Sequence, residues 1–206
     1  VYTNNDNGTA TFNLNGGTLK ASNSSANFVD LGGAGQTAVV KAGGAVIDSN
    51  GHNITVVQAL LDGGTGGGLT KNGDGALTLA GTNTYTGATV VNAGTLYITG
   101  SLGASDVTVG SAATIGSGDA SSSIGGDLHL AAGAKLDVTQ GLLTVPTGAL
   151  VSFGGFDFDD IIGFDVNSAA EGIYSLIQGD FTLDSTNLAH FGSENMLTLS
   201  GGRYAW

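Results

Sequence analysis

Residues 68–96 read GLTKNGDGALTLAGTNTYTGATVVNAGTL, and they carry the clearest structural signal in the chain. Apolar and polar residues alternate within this stretch, as they do from Leu77 through Thr78 to Leu79. A period of two places successive side chains on opposite faces, which is typical of β-strands. The connecting segments are rich in Gly, Asn and Asp, which favour sharp turns. The stretch therefore predicts short strands joined by tight corners.

A small unit of Gly, a short residue and an apolar residue recurs along the chain. Its copies begin at Gly17, Gly44, Gly75, Gly94 and Gly148, with degenerate copies at Ala113 and Gly133. The spacing is irregular at first and close to 20 residues in the middle of the chain. This period predicts an all-β fold, a β-solenoid whose turns stack and pair their backbones. A β-sandwich is the alternative, because turn signals alone do not separate the two architectures.

The composition changes near residue 150. Residues 1–150 carry a net charge of −5, whereas residues 151–206 carry −7 and six of the eight Phe. We therefore expect solenoid repeats in 1–150 and an acidic, Phe-rich β cap in 151–206, because a terminal turn must cover unpaired strand edges. The chain ends at Trp206 in an apparent strand. We expect this cap to be truncated and its edge to favour self-association.

Charge and composition exclude several classes of protein. The chain has 5 basic residues against 17 acidic ones, so it lacks the basic patch that nucleic-acid binding requires. It has no Cys, which excludes disulfides, thiol catalysis and Cys-based zinc sites. No apolar run approaches 18 residues, so no transmembrane helix is expected.

The repeat identifies a resemblance to a known family. Residues 68–96 resemble the passenger-associated strand repeat of autotransporters, L-x-K-x-G-x-G-x-L-x-L-x-G-x-N-T-Y-T-G-x-T-x-V-x-x-G-x-L. The resemblance implies a right-handed parallel β-helix in an exported protein, either secreted or on the outer-membrane surface of a diderm bacterium. At the N-T-Y-T segment we expect the Asn83 amide to hydrogen-bond the backbone of a corner between Gly81 and Gly87. The repeat carries no catalytic residues, so it implies architecture and location.

The densest acidic cluster lies in the C-terminal region. It consists of Asp157, Asp159 and Asp160, with Asp165 close behind. In a strand, Asp157 and Asp159 would share a face about 7 Å apart, so they could act as acid and base or, with Asp160, bind Ca²⁺. The plainer interpretation is a solvated strand face. Apart from this Ca²⁺ alternative, no cofactor is expected.

Other catalytic motifs are missing from the sequence. It has no Asp-Thr-Gly or Asp-Ser-Gly turn, no G-x-S-x-G elbow and no H-E-x-x-H segment. We therefore favour a non-enzymatic scaffold, an adhesin or display stalk that contacts a host or matrix glycoprotein or glycan. The alternative is an extracellular, carboxylate-dependent peptidase or glycosidase that acts on a host glycoprotein such as mucin.

Overall fold

The structure is a computed structural model that describes residues 8–32, 35–119 and 122–154, together with the strands at 161–162, 177–178 and 181–183. In this part of the chain there is no helix, and every paired strand runs parallel to its partner. In chain order the strands are β1 (Ala10–Leu14), β2 (Thr18–Lys20), β3 (Ser25–Val29), β4 (Gln36–Val40), β5 (Ala45–Asp48), β6 (Ile54–Val56), β7 (Leu60–Asp62), β8 (Leu69–Asn72), β9 (Ala76–Leu79), β10 (Thr82–Asn83), β11 (Thr89–Ile98), β12 (Ser101–Leu102), β13 (Val107–Ser117), β14 (Leu128–Leu130), β15 (Lys135–Asp137), β16 (Leu143–Thr144), β17 (Ala149–Phe153), β18 (Ile161–Ile162), β19 (Ile177–Gln178) and β20 (Phe181–Leu183).

The strands form three rows along one axis, here called faces A, B and C. Face A contains β2, β5, β8, the first part of β11, the first part of β13, β14, β17 and β20. Face B contains β3, β6, β9, the second parts of β11 and β13, β15 and β18. Face C contains β1, β4 and β7, followed by β10, β12, β16 and β19, with Ser123 bridging β12 to β16.

In the described part of the chain, each turn visits face C, then face A, then face B. The predicted β-solenoid is thereby confirmed as a three-faced parallel coil. The β-sandwich alternative is wrong for the described residues, because sandwiches pair their strands antiparallel. Right-handedness of the coil stays a prediction.

The length of a turn follows from the strand register. On face A, Ile47 pairs with Lys71, Lys71 with Val91 and Val91 with Val109, so successive turns take 24, 20 and 18 residues. The sequence unit showed a less regular spacing because it begins strands on two different faces. Gly44 precedes β5 on face A, whereas Gly75 precedes β9 on face B.

The core is a set of aliphatic columns inside the coil. Inward positions of one strand stack directly on those of the next, as Leu77, Leu96, Ile115 and Leu136 do on face B. All four are almost completely buried. Outward positions alternate with these, which explains the period-two pattern of the sequence. No helix of the described residues is long and apolar enough to cross a membrane.

The predicted cap in 151–206 lies largely outside the described residues. Within that range the structure places β18, β19 and β20, and each pairs parallel with a strand of the preceding turn. The described strands there continue the three faces, whereas the boundary near residue 150 and the cap itself stay predictions.

Candidate functional site

Lys71 occupies an inward position of β8, among aliphatic side chains, and is completely buried. Its Nζ donates to Ser49 Oγ at 2.7 Å in the preceding turn, to Gly73 O at 2.7 Å in its own turn and to Ala93 O at 3.0 Å in the following turn. Burial lowers the pKa of Lys71 to about 8, although the nearby carboxylates of Asp48 and Asp74 act in the opposite direction. The ammonium group joins three turns at the corner between faces A and B.

Asn83 makes a similar three-turn connection on face C. Its Oδ1 accepts a hydrogen bond from Leu60 N at 3.0 Å in the preceding turn. Its Nδ2 donates to Gly81 O at 2.8 Å and to Ser101 O at 3.0 Å, which lie in its own and in the following turn. The predicted bond between the Asn83 amide and the corner backbone is confirmed, and the two links to neighbouring turns are additional.

Tyr85 lies at the corner between faces C and A, with its whole side chain buried. Its hydroxyl is 2.7 Å from Thr89 Oγ1, which is 2.8 Å from Ser105 Oγ, and Ser105 donates to Gly87 O at 2.9 Å. Since the Ser105 hydroxyl donates to a carbonyl, it accepts from Thr89. The Thr89 hydroxyl in turn accepts from Tyr85. Burial raises the pKa of Tyr85, against the effect of its hydrogen bonds to Thr89 and Ser105.

These connections explain the chemistry of the repeat. Lys71, Asn83 and Tyr85 are its most conspicuous polar side chains, and each directs its polar atoms toward backbone or hydroxyl groups inside the coil. Buried polar groups need such partners, because an unpaired one is costly. The described residues leave no buried side-chain nitrogen or oxygen unpaired. Lys71, Asn83 and Tyr85 are therefore structural, and a functional site must be sought among the side chains on the outer surface.

One outer position of face B carries an aromatic ring that spans two turns. Tyr97 is in register with Gly116, and Gly116 is in register with Asp137. The Tyr97 hydroxyl reaches past Gly116 and donates to Asp137 Oδ2 at 2.6 Å. A Cβ at position 116 would lie 3.1 Å from Tyr97 Cε1 and 2.9 Å from Asp137 O, so glycine provides the space for the ring.

The Asp137 carboxylate is held from both sides. Thr139 donates to its Oδ1 through its backbone N at 2.9 Å and its Oγ1 at 2.6 Å. Burial raises the pKa of this carboxyl, but the hydrogen bonds from Thr139 and Tyr97 outweigh that effect and hold the pKa below its ordinary value. Burial, the hydrogen bond to Asp137 and the charge of Asp137 raise the pKa of Tyr97 to about 12. The pair is thus a carboxylate and a neutral phenol over a wide pH range.

A shallow depression of about 300 Å³ lies beside this ring and is called here the Tyr97 depression. Its lining residues are Thr78, Tyr97, Thr99, Gly118 and Gln140. The sequence analysis did not identify this site. The only available signal was the outward phase of Tyr97 in its strand, because its partner Asp137 is 40 residues away in sequence.

The acidic residues predicted as catalytic or Ca²⁺-binding, Asp157, Asp159, Asp160 and Asp165, lie outside the described residues. Their roles stay predictions. In the described ranges, no group of three or more His, Asp or Glu side chains is arranged to hold a metal ion.

Comparison with known proteins gives one match. Residues 69–98 match the family model of the passenger-associated-transport-repeat, which covers about one seventh of the chain. No curated protein and no solved structure matches the chain. The matched residues span β8 to β11 and include Lys71, Asn83 and Tyr85. The resemblance drawn from the sequence is therefore confirmed, on the part of the coil where polar side chains join neighbouring turns.

Proposed function

We propose that this chain, a parallel β-solenoid carrying a passenger-associated-transport-repeat, is a scaffold segment of an exported bacterial protein that contacts host or matrix glycoproteins. The observation that carries the proposal is the use of the repeat's polar groups. Lys71, Asn83 and Tyr85 all bind inside the coil, so the repeat serves to build a long rigid body. The outer faces are then what such a body offers to a partner.

The outer surface suits a hydrophilic partner. Leu150 is the only exposed large apolar side chain in the described part of the chain, with 41% of its surface accessible. Outward positions carry short polar side chains in register, such as Thr55 beside Thr78 on face B and Thr11 beside Thr37 on face C. With a net charge of −12, the chain would repel nucleic acids, which are dense polyanions.

The first test measures binding of the purified chain to an immobilised mucin and to a matrix glycoprotein, before and after enzymatic deglycosylation. We expect saturable binding to the glycosylated forms, with the bound glycoprotein remaining intact on a gel. The heat-unfolded chain is the matched control for charge and composition. Absence of binding to every glycoprotein would contradict the proposal.

The same samples test the hydrolase alternative. The chain and its Asp157→Asn/Asp159→Asn double variant are incubated with each glycoprotein from pH 3 to pH 8. A scaffold leaves the glycoprotein intact in both cases. Cleavage by the unmodified chain and not by the variant would replace the scaffold proposal with a carboxylate-dependent hydrolase.

Binding of Ca²⁺ by Asp157, Asp159 and Asp160 is tested by thermal unfolding with added Ca²⁺ and with chelator. A ligand that binds only the folded chain raises the unfolding temperature.

Self-association through strand edges is tested by light scattering over a range of concentrations. A monodisperse monomer at high concentration would contradict it.

A further inference from the structure

We propose that the Tyr97 depression binds a neutral saccharide unit of the glycoprotein partner, with the sugar ring packed against the Tyr97 side chain. This inference rests on the proposed function and assigns it to one place on face B. Its volume of about 300 Å³ is at the lower end of the range for small-molecule sites, roughly 300–1,000 Å³. One monosaccharide unit is a ligand of that class.

The ring is already held in place before a ligand arrives. The Tyr97 hydroxyl is fixed by Asp137 at 2.6 Å, and its ring edge passes over the empty space above Gly116. Tyr97 is nevertheless only partly buried, so part of its ring surface remains in contact with solvent. A fixed aromatic side chain loses little conformational entropy on binding, which leaves more of the contact energy for affinity.

The polar lining matches an uncharged ligand with several hydroxyl groups. The Thr78 hydroxyl and the Gln140 amide make no hydrogen bond within the described part of the chain, and Thr99 Oγ1 makes only a long one of 3.5 Å to Leu79 O. These groups supply both donors and acceptors. Gln140 is exposed, so its amide can turn toward a ligand without breaking an existing contact.

The charge of the depression's described lining does not favour an ionic ligand. Among the described residues, no charged side chain lines the depression. The Asp137 carboxylate, which holds the Tyr97 hydroxyl, uses Oδ2 for Tyr97 and Oδ1 for Thr139. A sugar fits because its C–H face can pack on an aromatic ring while its hydroxyls bond to Thr and Gln side chains.

The test uses saturation-transfer NMR of the full chain with the methyl glycosides of galactose, N-acetylgalactosamine and glucose. We expect saturable binding of at least one neutral glycoside, and about tenfold weaker binding in Tyr97→Ala, which removes the ring. Tyr97→Phe keeps the ring and should lose less. Gln140→Ala, at an exposed position, should weaken binding about threefold without affecting the fold.

Thr108→Ala is the matched control, since Thr108 is an exposed outward threonine on face A. It should bind each glycoside as the unmodified chain does, and circular dichroism confirms that each variant is folded. Equal affinity of folded Tyr97→Ala and the unmodified chain would overturn the inference. So would a loss that Thr108→Ala shares.

The two proposals fail differently. If the chain binds intact glycoprotein and Tyr97→Ala or Gln140→Ala leaves that binding unchanged, the saccharide site is wrong and the proposed function stands. If the chain binds deglycosylated glycoprotein equally well, the same conclusion holds. If it binds neither glycoside nor glycoprotein, both are wrong.

Discussion

Lys71 shows how a single charged residue can belong to the core of a β-solenoid. It stands in the inward column of face A between Ile47 and Val91, where a bare ammonium would be costly. Its three short contacts to oxygens of three different turns offset that cost. The lysine in this column therefore links three neighbouring turns by hydrogen bonds.

The Lys71→Met substitution should lower the free energy of unfolding by about 2 kcal/mol, because buried acceptors lose their donor. Removal of the buried charge offsets part of the loss. Lys20→Met is the matched control, since Lys20 is largely exposed and pairs with Asp48 Oδ2 at 3.3 Å. An exposed pair contributes about 0.5 kcal/mol or less. Urea unfolding measures the free energy of unfolding of both variants. Equal losses would contradict a stabilising role for the Lys71 hydrogen bonds between turns.

Tyr97 should keep its proton in the folded chain at pH values where exposed tyrosines lose theirs, since its pKa is raised to about 12. In the unfolded chain the ordinary pKa of about 10 applies. The folded state therefore holds the extra proton between these values, so this group's contribution to stability falls as the pH rises from about 10 to 12.

Absorbance titration at the tyrosinate band measures this shift, with Tyr97→Phe identifying the contribution of position 97. Asp137→Asn should lower the pKa of Tyr97, because it removes the neighbouring negative charge. An unchanged titration in that variant would show that burial alone raises the pKa.

At the scale of the strands, corners are closed by side-chain oxygens that accept from the backbone of a neighbouring turn. Asn15 Oδ1 accepts from Gly43 N at 2.9 Å, Asn53 Oδ1 from Ala76 N at 3.0 Å and Asp127 Oδ1 from Leu150 N at 2.7 Å. Corners leave backbone groups without strand partners, and short Asn and Asp side chains supply them. This explains why the sequence between the strands is rich in these residues.

Face B depends on the absence of a side chain at Gly116. The Gly116→Ala substitution should destabilise the chain by about 1–2 kcal/mol, because the new Cβ lies only 2.9 Å from Asp137 O and 3.1 Å from Tyr97 Cε1. Gly17→Ala is the matched control, since a Cβ at Gly17 meets nothing within 4 Å. Thermal unfolding compares the two. Equal stability would mean that the strand shifts to accommodate the methyl group.

At the scale of the molecule, the described turns form a one-dimensional stack, in which each turn contacts mainly its two neighbours. Register makes whole turns removable. Leu69 pairs with Thr89, so deletion of residues 70–89 joins equivalent positions of two turns. This deletion removes the polar side chains that link neighbouring turns, Lys71, Asn83 and Tyr85. Thr108 pairs with His129, so deletion of residues 109–129 also removes one turn but keeps these three linking side chains.

Both deletion variants should fold, with a urea m-value lower by about a tenth, in proportion to the surface removed. Deletion of 70–89 should lower the free energy of unfolding by about 3 kcal/mol more than deletion of 109–129, because it removes Lys71, Asn83 and Tyr85 together. Equal losses of unfolding free energy would show that Lys71, Asn83 and Tyr85 stabilise the chain no more than the side chains of an ordinary turn.

The sequence alone was sufficient for short strands joined by tight corners, because alternation and glycine corners are local properties that each turn repeats. The choice between the solenoid and the β-sandwich needed the strand pairing, which is parallel in the described residues. The sequence was also sufficient for the corner role of Asn83, whose partner Gly81 is two residues away. Tertiary structure was needed for the contacts between turns. Lys71 meets Ala93 and Tyr97 meets Asp137 because of register, which depends on the varying length of each turn. A period read from one face does not give that length, since the same short unit begins strands on two faces.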